Sequence, residues 1–260
     1  MRRFHCLLLL LALLAATSGC RAASRYDTVP ASAAPVRVLF VGNSYTFVND
    51  LPSVFKALGR SGGHTVVTGM DAQGGELLEG HVAGTRTREL LHDAAWDFVV
   101  LQEQSQVPAI EPARSEKMYP AARELAGSVR RAGATPIFFM TWAHRRGWPE
   151  AAMSYPEMQT RIDHAYFTIA QELHAPLAPV GFAWRETHNQ MPDLELWQAD
   201  GSHPTVAGTY LAACVFYTVI WRKSPEGLAY HAGLPARTAQ KLQSIAARSV
   251  LGYPDSWQLQ

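Results

Sequence analysis

Apolar residues along this chain follow two alternating rhythms. Short continuous runs, many of them β-branched or aromatic, occupy residues 36–41, 64–70, 96–101, 135–141 and 176–180. Such runs predict strands covered on both faces, as in a parallel sheet. Between them, apolar positions recur every three or four residues, which predicts helices with one buried face. Leu51, Val54, Phe55 and Leu58 form such a stripe after the first run, and a short helix over 86–94 precedes the third. Pro112 opens a helix with Met118, Ala122, Leu125 and Val129 on one face and Gly133 at its end. Ser154 caps another, whose inner face is Met158, Ile162, Ala165, Ile169 and Leu173. Residues 206–221 are apolar nearly all round, so this helix is deeply packed, with Cys214 as a small core residue. A last helix over 236–250 turns Leu242, Ile245, Ala246 and Val250 inward. Five strands alternating with helices predict an α/β fold, a three-layer α/β/α sandwich around a parallel five-stranded sheet. Residues 36–260 form one domain, without internal repeats.

The beginning of the chain follows neither rhythm. Arg2 and Arg3 precede an apolar run over residues 7–16, too short for a comfortable membrane span, and Thr17-Ser18-Gly19-Cys20 follows. Residues 1–19 therefore read as a signal peptide. Small residues before a Cys resemble a bacterial lipoprotein cleavage site, with Cys20 as the lipidated first residue. Residues 20–35, rich in Ala and Ser with two Pro, read as a flexible tether. The expected location is the bacterial periplasm or cell envelope, with membrane attachment through Cys20. Cys214 would then be the sole remaining Cys, and no intrachain disulfide is expected.

Composition narrows the functional classes. Of 260 residues, 48% are hydrophobic and 17% charged, with a net charge of +1. This is a globular composition that gives no electrostatic reason to expect nucleic acid. There is no Gly-x-Gly-x-x-Gly and no phosphate-binding Gly-x-x-x-x-Gly-Lys loop, so no nucleotide cofactor is expected. His174, His188 and His203 lack the helical pairing of a metal site, and no His-Glu-x-x-His occurs. Neither a metal nor a cofactor is implied.

Candidate chemistry sits at two element junctions. The first strand ends at Gly42, and Ser44 lies in the turn beyond it, where open parallel sheets bind ligands. Near the end of the chain stands Asp200-Gly201-Ser202-His203-Pro204, directly ahead of the buried helix. Pro204 suits the start of that helix and holds His203 extended, while Gly201 permits a tight turn. An Asp three residues before a His can orient its imidazole, and the imidazole can take the proton of a serine hydroxyl. Gly42-Asn43-Ser44-Tyr45-Thr46 is not Gly-x-Ser-x-Gly, so the α/β-hydrolase elbow is not matched.

In order and spacing, Gly42-Asn43-Ser44 and Asp200-Gly201-Ser202-His203-Pro204 resemble the two outer blocks of the SGNH (GDSL-type) hydrolases. The resemblance spans residues 36–221 and implies a flavodoxin-like sheet and a serine esterase. It makes Ser44 the nucleophile, His203 the base and Asp200 its orienting partner. It also implies oxyanion donors: the Ser44 N–H, the Gly75 N–H from Gln73-Gly74-Gly75-Glu76, and a side-chain amide after the third strand. The family's usual Asn is missing there. Leu101-Gln102-Glu103-Gln104-Ser105 offers Gln102, similar to a Gln-Gly-Glu-Ser block of carbohydrate-acetylesterase-like members, or else Gln104. Together the blocks are similar to an exported SGNH-like group without a common assigned activity.

Asn43, Glu103, Trp142 and His144 are the candidate substrate contacts. The last two belong to Trp142-Ala143-His144-Arg145-Arg146-Gly147-Trp148, an aromatic and basic stretch suited to stacking on sugar rings. The expected activity is hydrolysis of an ester, an O-acyl (acetyl) group on a carbohydrate, through an acyl-enzyme. The expected partner is a small-molecule or glycan ester. The alternatives are a non-catalytic envelope lipoprotein that binds a glycan or partner in the same cleft, and an O-acyltransferase.

Overall fold

The computed structural model describes Met1 and residues 34–259. The expected signal peptide and Cys20 lie outside the described residues, as does nearly all of the tether. Val36–Gly42 (β1) is the second strand of a sheet that also contains Val66–Ala72 (β2), Phe98–Leu101 (β3), Thr135–Phe139 (β4) and Leu177–Ala178 (β5). All pairings are parallel, in the order β2-β1-β3-β4-β5. The helices are Ser44–Phe47 (α1), Leu51–Ser61 (α2), Leu78–Ala83 (α3), Arg86–Asp93 (α4), Tyr119–Arg131 (α5), Tyr155–Glu172 (α6), Val180–Gln190 (α7), Val206–Trp221 (α8) and Ala236–Leu251 (α9).

The sheet core is apolar on both faces. Leu39, Phe40 and Val41 are fully buried, and successive residues of a strand point to opposite sides. Phe40 meets Phe55 of α2 at 5.8 Å and Phe216 of α8 at 5.5 Å, ring edge to face. Residues Leu39 and Val41 face the other layer, which α3, α5 and α6 supply. The three-layer architecture therefore matches the expectation from the sequence.

Several boundaries differ, each for a local reason. His64 stacks on Trp221 at 4.3 Å and does not enter β2. Trp96 turns its indole N–H to the Leu90 carbonyl, so β3 begins later than the apolar run suggests. Pro112 does not open α5. Residues Arg114–Met118 form a π-helical turn, and the regular helix starts at Tyr119 because Pro120 has no N–H for the carbonyl one turn back. Strand β5 has only two residues, between Pro176 and Pro179. Helix α7 was not anticipated, since its mixed composition follows directly on those prolines.

The order of strands fixes where a site can lie. From β1 the chain crosses to β2 on one side, and β3 then pairs on the other, so a crevice opens beyond the carboxyl ends of β1 and β3. Gly42 sits beside Ala72, and Val41 beside Leu101. The segments carrying Ser44, Gly75 and Gln102–Ser105 therefore leave the sheet at one edge.

Candidate active site

Asn43 follows β1 and caps α1, its side-chain oxygen accepting the Tyr45 N–H at 3.2 Å. Ser44 is thus the first residue of a helical turn, and its own N–H has no partner within that turn. Gly42 is required by close approach. A Cβ there would strike the side-chain oxygen of Gln102 and lie 2.8 Å from Thr46 Oγ1. Behind the turn, the buried His81 donates from Nε2 to the Gly42 carbonyl at 2.8 Å, with Thr87 and Asp71 on its other nitrogen. This support was not legible in the sequence.

Ser44 Oγ lies 2.9 Å from His203 Nε2, and His203 Nδ1 lies 2.5 Å from Asp200 Oδ2. The other oxygen of Asp200 accepts the N–H groups of Ser202 and His203, at 2.9 and 3.0 Å. Gly201, with φ of +72°, makes that tight loop possible. Partial burial opposes ionisation of Asp200. The backbone N–H groups and the His203 ring outweigh it and hold the carboxyl below the usual range. A hydroxyl, an imidazole and a carboxylate connected in this way can deprotonate the serine and stabilise the imidazolium that results.

The loop carrying His203 is anchored from outside. Trp142 is fully buried between Tyr45 (4.4 Å) and Trp184 (3.9 Å) in a parallel stack. Its indole N–H donates to the Ser202 carbonyl at 3.0 Å, and the Tyr45 hydroxyl meets Ser202 Oγ at 2.8 Å. Asn49 holds the Pro204 carbonyl at 2.9 Å. Trp142 therefore has no face to offer a sugar, which corrects its expected role as a substrate contact.

Three further expectations are corrected. Gln102 is fully buried, and its amide is committed. Its oxygen accepts the Asn43 N–H and the Thr46 hydroxyl, both at 2.9 Å, and its nitrogen donates to Asn43 Oδ1 at 2.9 Å and to the Glu103 carbonyl at 2.6 Å. It braces the serine turn and has no proton left for an oxyanion. Asn43 likewise uses its side chain internally, donating to the Glu76 carbonyl at 2.8 Å, which ties the Gly74-Gly75 loop to the serine turn. Glu103 is fully buried and binds the N–H groups of Leu78 (3.2 Å) and Gln104 (2.6 Å), so it cannot touch substrate.

The remaining candidates do meet. Ser44, His203, Gly74, Gly75, Gln104 and His144 line one cavity of about 470 Å³. Gly75 is exposed on its wall. Gln104 has its oxygen fixed by the Gln106 N–H at 2.8 Å, which leaves the amide nitrogen only long contacts of 3.4 and 3.5 Å. His144 sits 3.0 Å from Ser105 Oγ, and burial pushes its imidazole below the ordinary range.

Burial pushes the Glu103 carboxyl up from 4.5 to about 7. Its second oxygen is buried without a partner. The folded chain keeps this proton in a window where the unfolded chain has released it. The stabilisation is complete below about pH 4.5 and lost as pH rises to about 7, a change of about 3 kcal/mol. Glu103→Gln cannot titrate. Relative to wild type, its unfolding free energy should therefore improve by about that amount between pH 4.5 and 7.5, measured by urea melts across pH. Parallel pH profiles would show that Glu103 does not hold the proton.

No family model matches the chain, and no curated protein does. Solved structures do match it. A protein of Slackia heliotrinireducens assigned to the SGNH hydrolases is 33% identical, with 70% of this chain and 97% of that one aligned at a TM-score of 0.61. A DUF4886 family protein from Bacteroides uniformis is 22% identical over 85% of this chain and 96% of that one, at 0.73. The acetylxylan esterase Axe2 of Geobacillus stearothermophilus is 15% identical over 71% and 93%, at 0.53. The last two share the fold, and the first shares sequence as well. With its five-stranded parallel sheet and the serine turn at the end of β1, the chain belongs to the SGNH hydrolase family.

Proposed function

We propose that the protein is a serine esterase that removes an O-acyl group, most simply acetyl, from a carbohydrate. The observation that carries this reading is the unbroken hydrogen-bond path from Ser44 through His203 to Asp200 at the wall of an open cavity. Ser44 Oγ attacks the ester carbonyl while His203 Nε2 takes its proton. The carbonyl oxygen becomes an oxyanion, received by the N–H groups of Ser44 and Gly75 and by the Gln104 amide. The C–O bond to the alcohol then breaks, and His203 returns the proton to the departing oxygen. A water molecule, deprotonated by His203, hydrolyses the acyl-serine in the same sequence. Asp200 keeps Nδ1–H in place throughout.

The carbohydrate part rests on the hydroxyl, amide and imidazole side chains at the cavity wall and on the fold shared with an acetylxylan esterase. A purely binding role had its basis in the absent Asn, and Gln104 supplies an amide at that wall. Export and a lipid anchor at Cys20 remain a reading of residues 1–20 alone.

The test is acetate release from O-acetylated sugars by wild type and two Gln variants. Gln104→Ala should lower kcat about 10²- to 10³-fold with stability retained. Gln102→Ala should instead lose about 1–3 kcal/mol of stability for each buried partner left unpaired. An unchanged kcat in Gln104→Ala would remove Gln104 from the oxyanion site. A folded wild type that cleaves aryl acetates but no acetylated sugar would remove the carbohydrate.

A further inference from the structure

A second cavity, of about 450 Å³, adjoins the catalytic one and shares Gln106 and His144 with it. It extends from the Asp200-Gly201 side of the triad across the segment after β4, over Arg146, Trp148 and Glu150. Its size is within the range of about 300–1,000 Å³ typical of ligand sites. Nothing in the triad mechanism uses it.

Trp148 differs from the other tryptophans of the chain. Trp142, Trp184, Trp197, Trp221 and Trp257 each stack on or abut other rings, and Trp96 gives its indole N–H to a carbonyl. Trp148 is half-buried and has neither a ring partner nor an indole hydrogen bond among the described residues. It is nevertheless held firmly. Its backbone pairs with Met153 in both directions, at 2.8 and 3.0 Å. One side packs on the core and the ring borders the cavity. A rigid aromatic ring of this kind is a stacking platform.

The charges around it are balanced. Arg145 is held by both oxygens of Glu195. Arg146 and Glu150 are exposed, their side chains without a hydrogen bond or ion pair among the described residues, and contribute one charge of each sign. Apart from Pro149, no aliphatic side chain larger than Ala lines this cavity. A fatty acyl chain laid there would desolvate Arg146 and Glu150 for no return. A neutral polyhydroxylated ring matches the set. It can stack on Trp148, accept from the guanidinium of Arg146 and donate to the carboxylate of Glu150.

We infer that the second cavity is a sugar subsite, and that the substrate is an acylated oligosaccharide whose neighbouring sugar unit rests on Trp148 while the acylated unit lies at Ser44. This rests on the esterase reading above and extends it from the acyl group to the leaving alcohol. Trp148 thus takes the stacking role expected of Trp142.

The experiment compares matched acetylated mono- and trisaccharides with gluco, xylo and N-acetylglucosamine backbones, together with an aryl acetate. For at least one backbone, wild-type kcat/KM should be about tenfold higher for the trisaccharide than for the monosaccharide, mainly through KM. In Trp148→Ala that ratio should fall close to one. Arg146→Ala, at an exposed position, keeps the test informative should the Trp variant not fold, and should reduce the ratio about threefold. Equal rates on mono- and trisaccharides for all three backbones, or a ratio unchanged in both variants, would overturn the subsite. Failure of wild type on the aryl acetate as well would instead overturn the esterase reading. In that case fluorescence titration of Ser44→Ala with the unacetylated trisaccharides still decides the subsite: quenching that Trp148→Ala abolishes supports it, and absence of quenching overturns it.

Discussion

Replacing His203 by Ala should lower kcat/KM for ester hydrolysis by about 10⁵- to 10⁶-fold while leaving stability nearly unchanged. The rate effect follows from the path through the ring. His203 Nε2 is 2.9 Å from the Ser44 hydroxyl, and no other described base is hydrogen-bonded to it. The small stability effect follows from exposure. The His203 side chain is 35% exposed, and its contact with Asp200 is of the exposed kind worth about 0.2–1 kcal/mol. Asp200→Asn separates orientation from proton transfer. An Asn oxygen can still accept the Ser202 and His203 N–H groups, so the loop keeps its shape. Its NH₂ would then face Nδ1 and favour the wrong tautomer, for an expected loss of about 10⁴-fold. Steady-state kinetics with an aryl acetate and thermal melts check both halves. A variant that melts as wild type but retains more than a hundredth of its rate would contradict the assignment.

The second large effect concerns the core. Trp142→Ala should cost about 3–5 kcal/mol, the range for emptying a large buried aromatic site. Trp142 is fully buried, stacked on Tyr45 and Trp184, and bonded to the Ser202 carbonyl. For a domain of this size the loss corresponds to a fall of roughly 10 °C in Tm. Activity should fall as well, because the same ring supports both the residue after Ser44 and the residue before His203. Trp142→Phe retains the stack and loses the indole N–H. It should cost about 1–2 kcal/mol and lower kcat more than KM. Urea melts and kinetics of the two variants distinguish a purely structural ring from one that also positions His203. If Trp142→Phe changed stability with no effect on kcat, the positioning role would fail.

Both ends of the candidate triad were legible because each is written locally. An apolar run stopping at Gly42 with a Ser two residues on, and an Asp-x-x-His held by Pro204, need only neighbours in the chain. What failed at the site depended on distant partners. Gln102 and Gln104 look alike in sequence. The serine turn decides between them, because the buried N–H and side chain of Asn43 require an amide at position 102. Glu103 reads as a substrate contact at a strand mouth until the start of α3 closes over it. Trp142 reads as a sugar platform until Tyr45 and Trp184 enclose it from both sides. The same aromatic and basic stretch contains the ring that stays open, Trp148, and nothing local distinguishes the two. Helix α7 was hidden by Pro176 and Pro179, and the start of α5 was set by Pro120 and not by Pro112. His81 gave no signal, since its partner is the backbone carbonyl of Gly42.

The most direct test is covalent labelling of the folded protein with a fluorophosphonate, read by intact mass and peptide mapping. The account predicts a single adduct, on the peptide that contains Ser44, and none on Ser44→Ala. Ser105, hydrogen-bonded to His144 on the same cavity, is the internal control. A folded wild-type protein that takes up no label, or takes it up at Ser105, would contradict the claim that Ser44 is the nucleophile.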